Sequence, residues 1–285
     1  MSLVRFASVS LSLAAFASIG PAHAQYRQPW TGKGIPALLS PGGGQVLVTD
    51  QKAFKGGVTK SADEMVKSTR FIIRVENISR GEVLKSASGQ TAPFVSAPVF
   101  WAVHTTATNP IFVAGERDTG LGLELLAETG EPTHLVKKLG AKSGLVSVGG
   151  VAVPVGTTIE SPLMPGQSYE FEIVARPGQF FSSAWMFGQS NDLFYSNDRP
   201  IALFTTAGKP VSGDMTTQLA LWDTGTEVNE EPGFGPNQGP RQKMKDDGVR
   251  ESEGIAHVRD QYGYPQIADV LRLTIAPAGD AVSAR

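Results

Sequence analysis

The sequence predicts an all-β fold, specifically an antiparallel β-sandwich with a short helical insertion. Gly (32 residues) and Pro (19 residues) make up about 18% of the 285-residue chain, against a usual value of ~12%. Such frequent chain breakers favour many short strands joined by turns. Apolar and polar residues alternate strictly in segments near both ends of the domain. The chain lacks the regular strand–helix–strand order that builds parallel sheets, so the predicted sheets are antiparallel.

The composition excludes several classes of function. The chain carries 25 basic and 27 acidic side chains, for a formal net charge of -2, so it has no basic excess for binding nucleic acid. It contains no cysteine, which excludes disulfides, thiolate metal sites and cysteine nucleophiles. The 41% hydrophobic content and the length are sufficient for a sizeable core, so we expect the core to stabilise the fold.

The N-terminus has the pattern of an export signal. Arg5 precedes an apolar run over residues 6–19, and the small-x-small sequence at residues 22–24 suits a signal peptidase. We therefore predict a signal peptide at residues 1–24, a mature chain that starts at Gln25, and a periplasmic or secreted location. An uncleaved N-terminal anchor is the alternative. No later segment reaches the ~18 apolar residues of a membrane-spanning helix.

The mature chain divides into three parts by composition. Residues 25–67 are rich in Gly, Pro and Lys and form a lead-in segment without strong periodicity. Residues 68–276 contain all the clear strand and helix patterns and are predicted to be one domain. Residues 277–285 begin with Pro277 and continue with small residues, which is typical of a flexible tail.

The strand predictions rest on two-residue periodicity. In the first strand, Arg70–Asn77, the apolar side chains of Phe71, Ile73 and Val75 alternate with charged residues, so one face is predicted to be buried. Tyr169–Val174 alternates aromatic residues with carboxylates in the same way. The remaining predicted strands are Pro98–His104, Gln179–Phe187, Asp192–Tyr195, Thr216–Trp222 and Val270–Ile275.

Three segments between the strands have other patterns. Leucines recur at helical spacing between Leu121 and Leu139, and Pro132 can open a second short helix there, which predicts the helical insertion. Val and Gly alternate from Gly144 to Ile159, which favours an exposed hairpin. The polar, Gly/Pro-rich stretch from Asp223 to Tyr264 is predicted to be a long loop, and loops of that length are usually functional or disordered.

Known catalytic patterns are missing from the sequence. The mature chain has three histidines, His104, His134 and His257, and no two of them have the spacing of a helical zinc site. No nucleophile elbow, phosphate-binding loop or dinucleotide fingerprint occurs. We therefore predict that the protein is not an enzyme. The alternative is a calcium-dependent extracytoplasmic hydrolase, with His104 as the base to test because it ends a predicted strand.

An acidic segment follows the predicted strand that ends at Trp222. It begins at Asp223 and contains four carboxylates within nine residues, while Asn191 and Asp192 stand at the start of another strand. Hard oxygen ligands on a flexible Gly-containing loop suit Ca²⁺. The segment is not an EF-hand, because its twelfth position is Phe234 where a bidentate Glu is required. The alternative interpretation is a solvated acidic loop that binds no metal.

Two motifs resemble a known family. They are MFGQSNDLFY at residues 186–195 and LALWDTGTEVNEEPGFGPNQ at residues 219–238. These segments are similar to the spondin N-terminal domain in its bacterial form, and the animal members of that family include F-spondin and mindin. The resemblance extends over roughly Arg70 to Ile275, and the motifs are long and ordered, so the match is specific.

The resemblance implies a fold and a metal site. The family implies an antiparallel β-sandwich similar to a C2 domain, with Ca²⁺ bound by loops at one end. The family's aspartates map onto Asp192 and Asp223, and its Asp-x-Gly-Thr-Asp element has Glu227 in its last place, which lengthens that side chain by one methylene. Asn191 and Glu231 are the additional candidate ligands. The disulfides of animal members cannot exist in this chain.

Together these observations predict an exported, non-catalytic module with a structural Ca²⁺ that serves in extracellular binding or adhesion. Its expected partner is an unidentified extracellular protein or polysaccharide. Matrix attachment belongs to the animal members, and the resemblance does not transfer it to this chain.

Overall fold

A computed structural model describes residues 68–239 and 241–278 of the chain, together with the backbone of two short paired strands, β1 (Leu38–Leu39) and β2 (Gln45–Val46). The predicted export signal at residues 1–24, the rest of the lead-in segment at 25–67 and residues 279–285 of the predicted tail lie outside the described residues.

Two antiparallel sheets make up the fold, which confirms the predicted all-β sandwich. In spatial order, the strands of the smaller sheet are β12 (Gly213–Asp214), β15 (Leu271–Pro277), β3 (Thr69–Asn77) and β8 (Ser168–Ala175). The strands of the larger sheet are β14 (Ala256–His257), β13 (Leu219–Asp223), β10 (Leu193–Asn197), β9 (Phe180–Met186), β6 (Val99–His104) and β7 (Leu145–Val151), with β11 (Ile201–Ala202) also paired to β9. A separate hairpin joins β4 (Leu84–Lys85) to β5 (Thr91–Ala92).

The main core lies between the two sheets, where the alternating residues of the strands meet. Phe71, Ile73 and Val75 of β3 are all buried there, as the periodicity predicts. Phe171 of β8 stacks on Trp101 of β6 at 5.6 Å between ring centroids, which joins the two sheets directly. Burial of large aromatic and aliphatic side chains on both inner faces supplies most of the driving force for folding.

The helical insertion covers the outer face of the larger sheet. It consists of α1 (Leu123–Thr129) and α2 (Thr133–Leu139), and Pro132 stands immediately before α2 as predicted. Leucines of both helices pack with residues of β6, β9 and β10 in a second core cluster, so both faces of the larger sheet are buried. Within the described part of the chain, no helix combines the length and apolar character that crossing a membrane requires.

The predicted exposed hairpin at Gly144–Ile159 is wrong. Residues 145–151 instead form the single edge strand β7, which pairs with β6, and Val148 and Val151 are fully buried. The glycines reflect close packing, because a Cβ on Gly150 would lie 3.0 Å from the Pro132 side chain. Two smaller differences occur at strand ends. Residues Thr216–Gln218 form a turn of 3₁₀-helix before β13, and a short helix, α3 (Ile267–Val270), precedes β15.

Strand register determines which residues share an end of the sandwich. Leu193 at the start of β10 pairs with Asp223 at the end of β13. At the far end of the same sheet, His104 of β6 pairs with Phe180, the first residue of β9. Strand β9 ends at Met186, at the same end of the sheet as Leu193 and Asp223. The acidic segment and His104 therefore lie at opposite ends of the larger sheet.

Candidate metal centre

The two predicted aspartates are brought together by strand pairing. Asp192 directly precedes β10, and Asp223 is the last residue of the neighbouring strand β13, opposite Leu193. Adjacent strands lie about 4.8 Å apart, so residues separated by 31 positions in sequence become neighbours at one sheet edge. The loop after β13, residues 224–227, then folds back over Asp192.

Asp192 is fully buried, and the chain wraps around one of its two carboxylate oxygens. Its Oδ2 accepts hydrogen bonds from the Thr224 hydroxyl at 2.8 Å, from the backbone amide and hydroxyl of Thr226 at 2.8 and 3.0 Å, and from the Glu227 amide at 3.1 Å. Its Oδ1 is buried and has no hydrogen-bond partner among the described residues. A buried carboxylate oxygen without a partner is costly, so this atom is the one that a bound cation would stabilise most.

A glycine allows the loop to close around Asp192. Gly225 adopts a left-handed conformation with φ of 69°, and a Cβ there would lie 2.9 Å from the backbone carbon of Glu253. Both the positive φ and the close approach require glycine. Without that turn, the amides of Thr226 and Glu227 could not both point at the Asp192 carboxylate.

Asp223 is shifted toward its neutral form in the absence of a cation. Burial and the charge of Asp192 raise the pKa of Asp223 from 3.8 to about 7. Hydrogen bonds from the Gly225 amide at 2.7 Å and the Asn229 side-chain amide at 2.6 Å act in the opposite direction, because they stabilise the ionised carboxylate. A cation at this position would favour the ionised form of Asp223.

Glu227 and Asn191 anchor the surrounding loops. The Glu227 carboxylate accepts hydrogen bonds from the Gly248 amide at 3.0 Å and from the Asn191 side-chain amide at 3.3 Å. The Asn191 oxygen accepts from the Glu230 amide at 3.1 Å. Burial raises the pKa of Glu227, and the charge of Asp192 adds to that rise. These two predicted ligands therefore lie beside Asp192, with each side chain already hydrogen-bonded within the protein.

Glu231 contacts a different part of the molecule. Its carboxylate accepts a hydrogen bond from the backbone amide of Ala87, in the turn between β4 and β5. The neighbouring Glu230 carboxylate binds the backbone and side-chain amides of Asn237 at 2.9 and 2.7 Å. Glu230 thus stabilises the Pro-Gly-rich loop from within, and Glu231 joins this loop to the turn between β4 and β5.

The structure adds Glu251, a residue that the sequence reasoning missed. The Glu251 amide donates to the Thr226 carbonyl at 2.9 Å, and the Glu253 amide donates to the Gly225 carbonyl at 2.9 Å, so this segment runs beside the loop that wraps Asp192. Burial and the charges of Asp192 and Glu253 raise the pKa of Glu251. The sequence Val-Arg-Glu-Ser-Glu at 249–253 has no alternation of apolar and polar residues, so no local pattern marks Glu251.

A second acidic cluster lies next to the first and is paired with a lysine side chain. Among the described residues, Glu124, Glu128 and Asp246 form a group of three whose ligand oxygens all lie within 4.8 Å of one another. Burial raises the pKa of Glu128 to about 7. The Lys245 ammonium lies 3.4 Å from Glu124 and 3.3 Å from Asp246, so this cluster is partly neutralised by a lysine. The Thr226 hydroxyl lies between the two clusters, 3.4 Å from Glu128 and 3.0 Å from Asp192.

The two clusters differ in geometry and in charge: among the described residues only the second brings three ligand oxygens within 4.8 Å of one another, whereas the first has no basic partner. Within residues 68–239 and 241–278, none of the ion pairs given by the structure involves Asp192, Asp223 or Glu251. Their oxygens are the ligand type that Ca²⁺ prefers, and the free Oδ1 of Asp192 supplies a buried donor. Asp192 and Asp223, with Glu227 and Glu251 near them, could hold an ion only if their carboxylates move closer together, because no three of their ligand oxygens lie within 4.8 Å of one another.

Asp223 also lines an open groove of about 430 Å³. His257 stands at one side of this groove, where its ring packs on Trp222 at 4.1 Å between centroids and its Nε2 lies 2.9 Å from an Asp198 oxygen. The pairing of Trp222 with His257 between β13 and β14 places His257 at this groove, and no local sequence pattern around His257 indicates that position.

His104 is a buried structural residue. It is fully buried, its Nε2 lies 3.0 Å from the Ser182 hydroxyl, and burial lowers its pKa. Because it lies at the opposite end of the larger sheet, it supplies no base beside Asp223.

No protein-family model matches the chain, and no curated protein matches it. The resemblance to spondin domains therefore rests on the two sequence motifs, and both motifs contribute residues to the acidic end of the sandwich.

Proposed function

We propose that this protein is an exported, non-catalytic β-sandwich module with a structural Ca²⁺ held at the acidic end, and that it serves in extracellular binding or adhesion. The observation that carries the proposal is the fully buried Oδ1 of Asp192, which has no partner among the described residues, together with the charge of Asp192 that raises the pKa of Asp223 and Glu251. The partner on this proposal is an extracellular protein or polysaccharide.

At the acidic end, carboxylates that are partly shielded from water repel one another. The raised pKa values of Asp223 and Glu251 reflect burial together with repulsion between carboxylates. A divalent cation removes that repulsion and joins the end of β13 to the start of β10. The role of the ion is then structural, since it pins two strand ends and the 224–227 loop to each other.

The N-terminal sequence supports export, and the absence of cysteine supports a stabilising ion. The pattern of residues 1–24 is that of an export signal, and extracellular fluids contain Ca²⁺ at concentrations that suit weak structural sites. A chain without cysteine has no disulfide to stabilise it after export, so a bound ion is a useful addition to the core.

The test is thermal and urea unfolding of the chain from Gln25, in EDTA and in 1 mM Ca²⁺, with 1 mM Mg²⁺ as the metal control. For a Kd near 0.1 mM, typical of extracellular calcium modules, the free energy of unfolding should rise by about 1.4 kcal/mol in Ca²⁺. Asp223→Asn should abolish this rise, while Glu170→Gln on the exposed face of β8 should leave it unchanged. Identical curves in EDTA and Ca²⁺ would remove the ion and leave a solvated acidic loop.

A further inference from the structure

Strand β7 stands at the edge of the larger sheet, and its second side has no paired strand in the described part of the chain. It pairs with β6 alone, and residues 145–151 make no other backbone–backbone hydrogen bond with the described residues. In an antiparallel pair, alternate residues turn their N–H and C=O groups away from the partner strand. A row of backbone donors and acceptors on β7 therefore points toward this open side.

The backbone of β7 is nevertheless shielded from water. Residues 147–154 are all buried, and this run includes Gly149 and Gly150. A glycine has only backbone atoms to expose, so the burial of two glycines means that the main chain itself is covered. The helical insertion covers Val148 on one face and the main core takes up Val151 on the other, but the edge between these faces needs a cover of its own. Buried backbone groups at that edge also need hydrogen-bond partners.

The composition of β7 is unsuited to an exposed edge. Edge strands that face water usually carry charged residues or Pro, which prevent pairing with a strand of another molecule. The edge strand β8 of the smaller sheet follows this rule, because Glu170 and Glu172 lie on it. Residues 145–151 read Leu-Val-Ser-Val-Gly-Gly-Val, with no charge and no Pro. This is the composition of a strand that has neighbours on both sides.

The lead-in segment contains a hairpin that suits this edge. Strands β1 and β2 pair antiparallel, with Leu39 opposite Gln45 and a Ser-Pro-Gly-Gly-Gly turn at residues 40–44. Residues 36–48 carry no charged side chain, and their Val-Leu-Val run at 46–48 favours a strand. The backbone of β2 lies beside β7, with Cα atoms of the two strands within 8 Å of each other.

The connection to the domain is long enough for this arrangement. Residues 49–67 join the hairpin to β3, and 19 residues can span about 60 Å when extended. The first residue of β3, Thr69, lies opposite Ala175 of the edge strand β8. Strand β8 is on the same side of the sandwich as β7, because the Val155 amide, just after β7, donates to the Ser168 carbonyl of β8.

We propose that the hairpin of residues 36–48 docks along the open side of β7, where it supplies hydrogen-bond partners for the free backbone groups and extends the larger sheet. The occupant of this edge is the chain's own lead-in segment, which thereby becomes part of the folded domain. The inference goes beyond the proposed function and does not depend on the metal. The acidic segment follows β13, which is separated from β7 by β10, β9 and β6.

The first experiment is amide hydrogen exchange, followed by mass spectrometry, on the chain from Gln25 and its Val46→Pro variant. Proline removes an N–H group and cannot continue a strand that is paired on both sides. Exchange in the peptides that cover residues 146–151 should become faster by at least about tenfold, while β3 keeps its protection. Val58→Pro, in the same lead-in segment but outside the hairpin, is the matched control and should leave β7 protected.

The second experiment uses the absence of cysteine from the chain. Val46→Cys is combined with Val146→Cys or with Ser147→Cys on β7, so that both faces of the strand are sampled. At least one pair should form a disulfide within a single chain in air, because neighbouring strands bring Cα atoms to the separation that a disulfide requires. Val46→Cys combined with Ala256→Cys, on β14 at the other edge of the sheet, should stay reduced.

The two experiments make the proposal falsifiable even if Val46→Pro does not fold. Unchanged protection of β7 in a folded Val46→Pro chain overturns it, and so does the failure of both β7 pairs to form a disulfide. A disulfide that links two chains, together with a dimer in size-exclusion chromatography, would show that the edge is covered by the hairpin of a second copy and would also overturn it. Rapid exchange of residues 146–151 in the unaltered chain would mean that the edge is open to water.

Discussion

Two charged surfaces of this sandwich differ in the groups that contact their carboxylates. On the outer face of the smaller sheet, Arg74 lies 3.2 Å from both Glu76 and Glu170, and Arg272 lies 3.7 Å from Glu76. The pairing of β3 with β8 and β15 places opposite charges directly across from each other. Glu76, Glu170 and Glu172 on this face each have a basic partner in the protein.

At the acidic end, the carboxylates face backbone amides and one another. Asp192 takes its hydrogen bonds from the 224–227 loop, and Asp223 and Glu251 stand within its electric field. Two basic side chains, Lys245 and Arg250, form ion pairs with Asp246 of the neighbouring Glu124 cluster, and none of the ion pairs in the described structure involves Asp192 or Asp223.

The paired surface therefore balances its charges within the sheet, whereas the acidic end leaves Asp192 and Asp223 without basic partners among the described residues. Exposed pairs across a sheet contribute little to stability and are screened by salt. Buried carboxylates with unsatisfied oxygens make stability depend on pH, on cations and on every group that contacts them. Three predictions test this contrast, in order of decreasing effect.

The largest effect is expected from Asp192→Ala. The substitution removes the acceptor for the amides of Thr226 and Glu227, and it leaves those donors buried without a partner. We expect the free energy of unfolding in EDTA to fall by about 3 kcal/mol or more. Urea titration followed by tryptophan fluorescence measures this change.

The control for that substitution is Glu170→Ala on the paired surface, which should lower stability by about 1 kcal/mol at most. If Asp192→Ala costs no more than Glu170→Ala, the loop does not depend on Asp192 and the contrast between the surfaces fails.

An intermediate effect is expected from pH. The pKa values of Asp223 and Glu128 are both raised to about 7 in the folded chain, above their ordinary values of 3.8 and 4.5. The native state therefore binds more protons than the unfolded state between pH 4 and pH 7. In EDTA, the stability contributed by these groups is fully present near pH 4 and is lost as the pH rises through 7, by on the order of 2 kcal/mol.

Glu128→Gln isolates one half of this dependence. Gln can still accept the hydrogen bond that the Asp246 amide donates to Glu128, but it does not ionise. The variant should show a shallower fall between pH 4 and pH 7 in urea titrations at a series of pH values. A stability that rises over this pH range in EDTA would contradict the electrostatic account of the acidic end.

The smallest effect is expected from Arg74→Ala on the smaller sheet. The substitution breaks exposed pairs with Glu76 and Glu170, so we expect a loss of about 0.5 kcal/mol, and this loss should shrink in 0.5 M NaCl. A loss above 2 kcal/mol would mean that the outer face contributes as strongly as the acidic end.

Much of the fold could be predicted from local patterns. The alternation in Arg70–Asn77 and Tyr169–Val174 and the leucine spacing before Leu139 correctly gave two strands and the helical insertion, because the period of burial is a local property of the chain. The segment Gly144–Ile159 misled the prediction, since its small residues serve packing against Pro132 and resemble a turn-rich hairpin in sequence alone.

The candidate site was predictable in part. Asp192 and Asp223 stand at strand ends in the sequence, and strand pairing makes them neighbours. Glu231 was expected beside them, yet its carboxylate contacts Ala87, a residue 144 positions away. Glu251 could not be assigned, because its position depends on how a long loop folds back along Gly225 and Thr226.

The sequence by itself determined the all-β class, the buried face of each long strand, the absence of cysteine chemistry and the presence of carboxylates at two strand ends. The tertiary structure alone decided which carboxylates meet, that His104 lies at the far end, and that one oxygen of Asp192 has no hydrogen-bond partner among the described residues. The reason is physical. Burial patterns follow from neighbours along the chain, whereas the energy of a charge depends on groups that are close in space and distant in sequence.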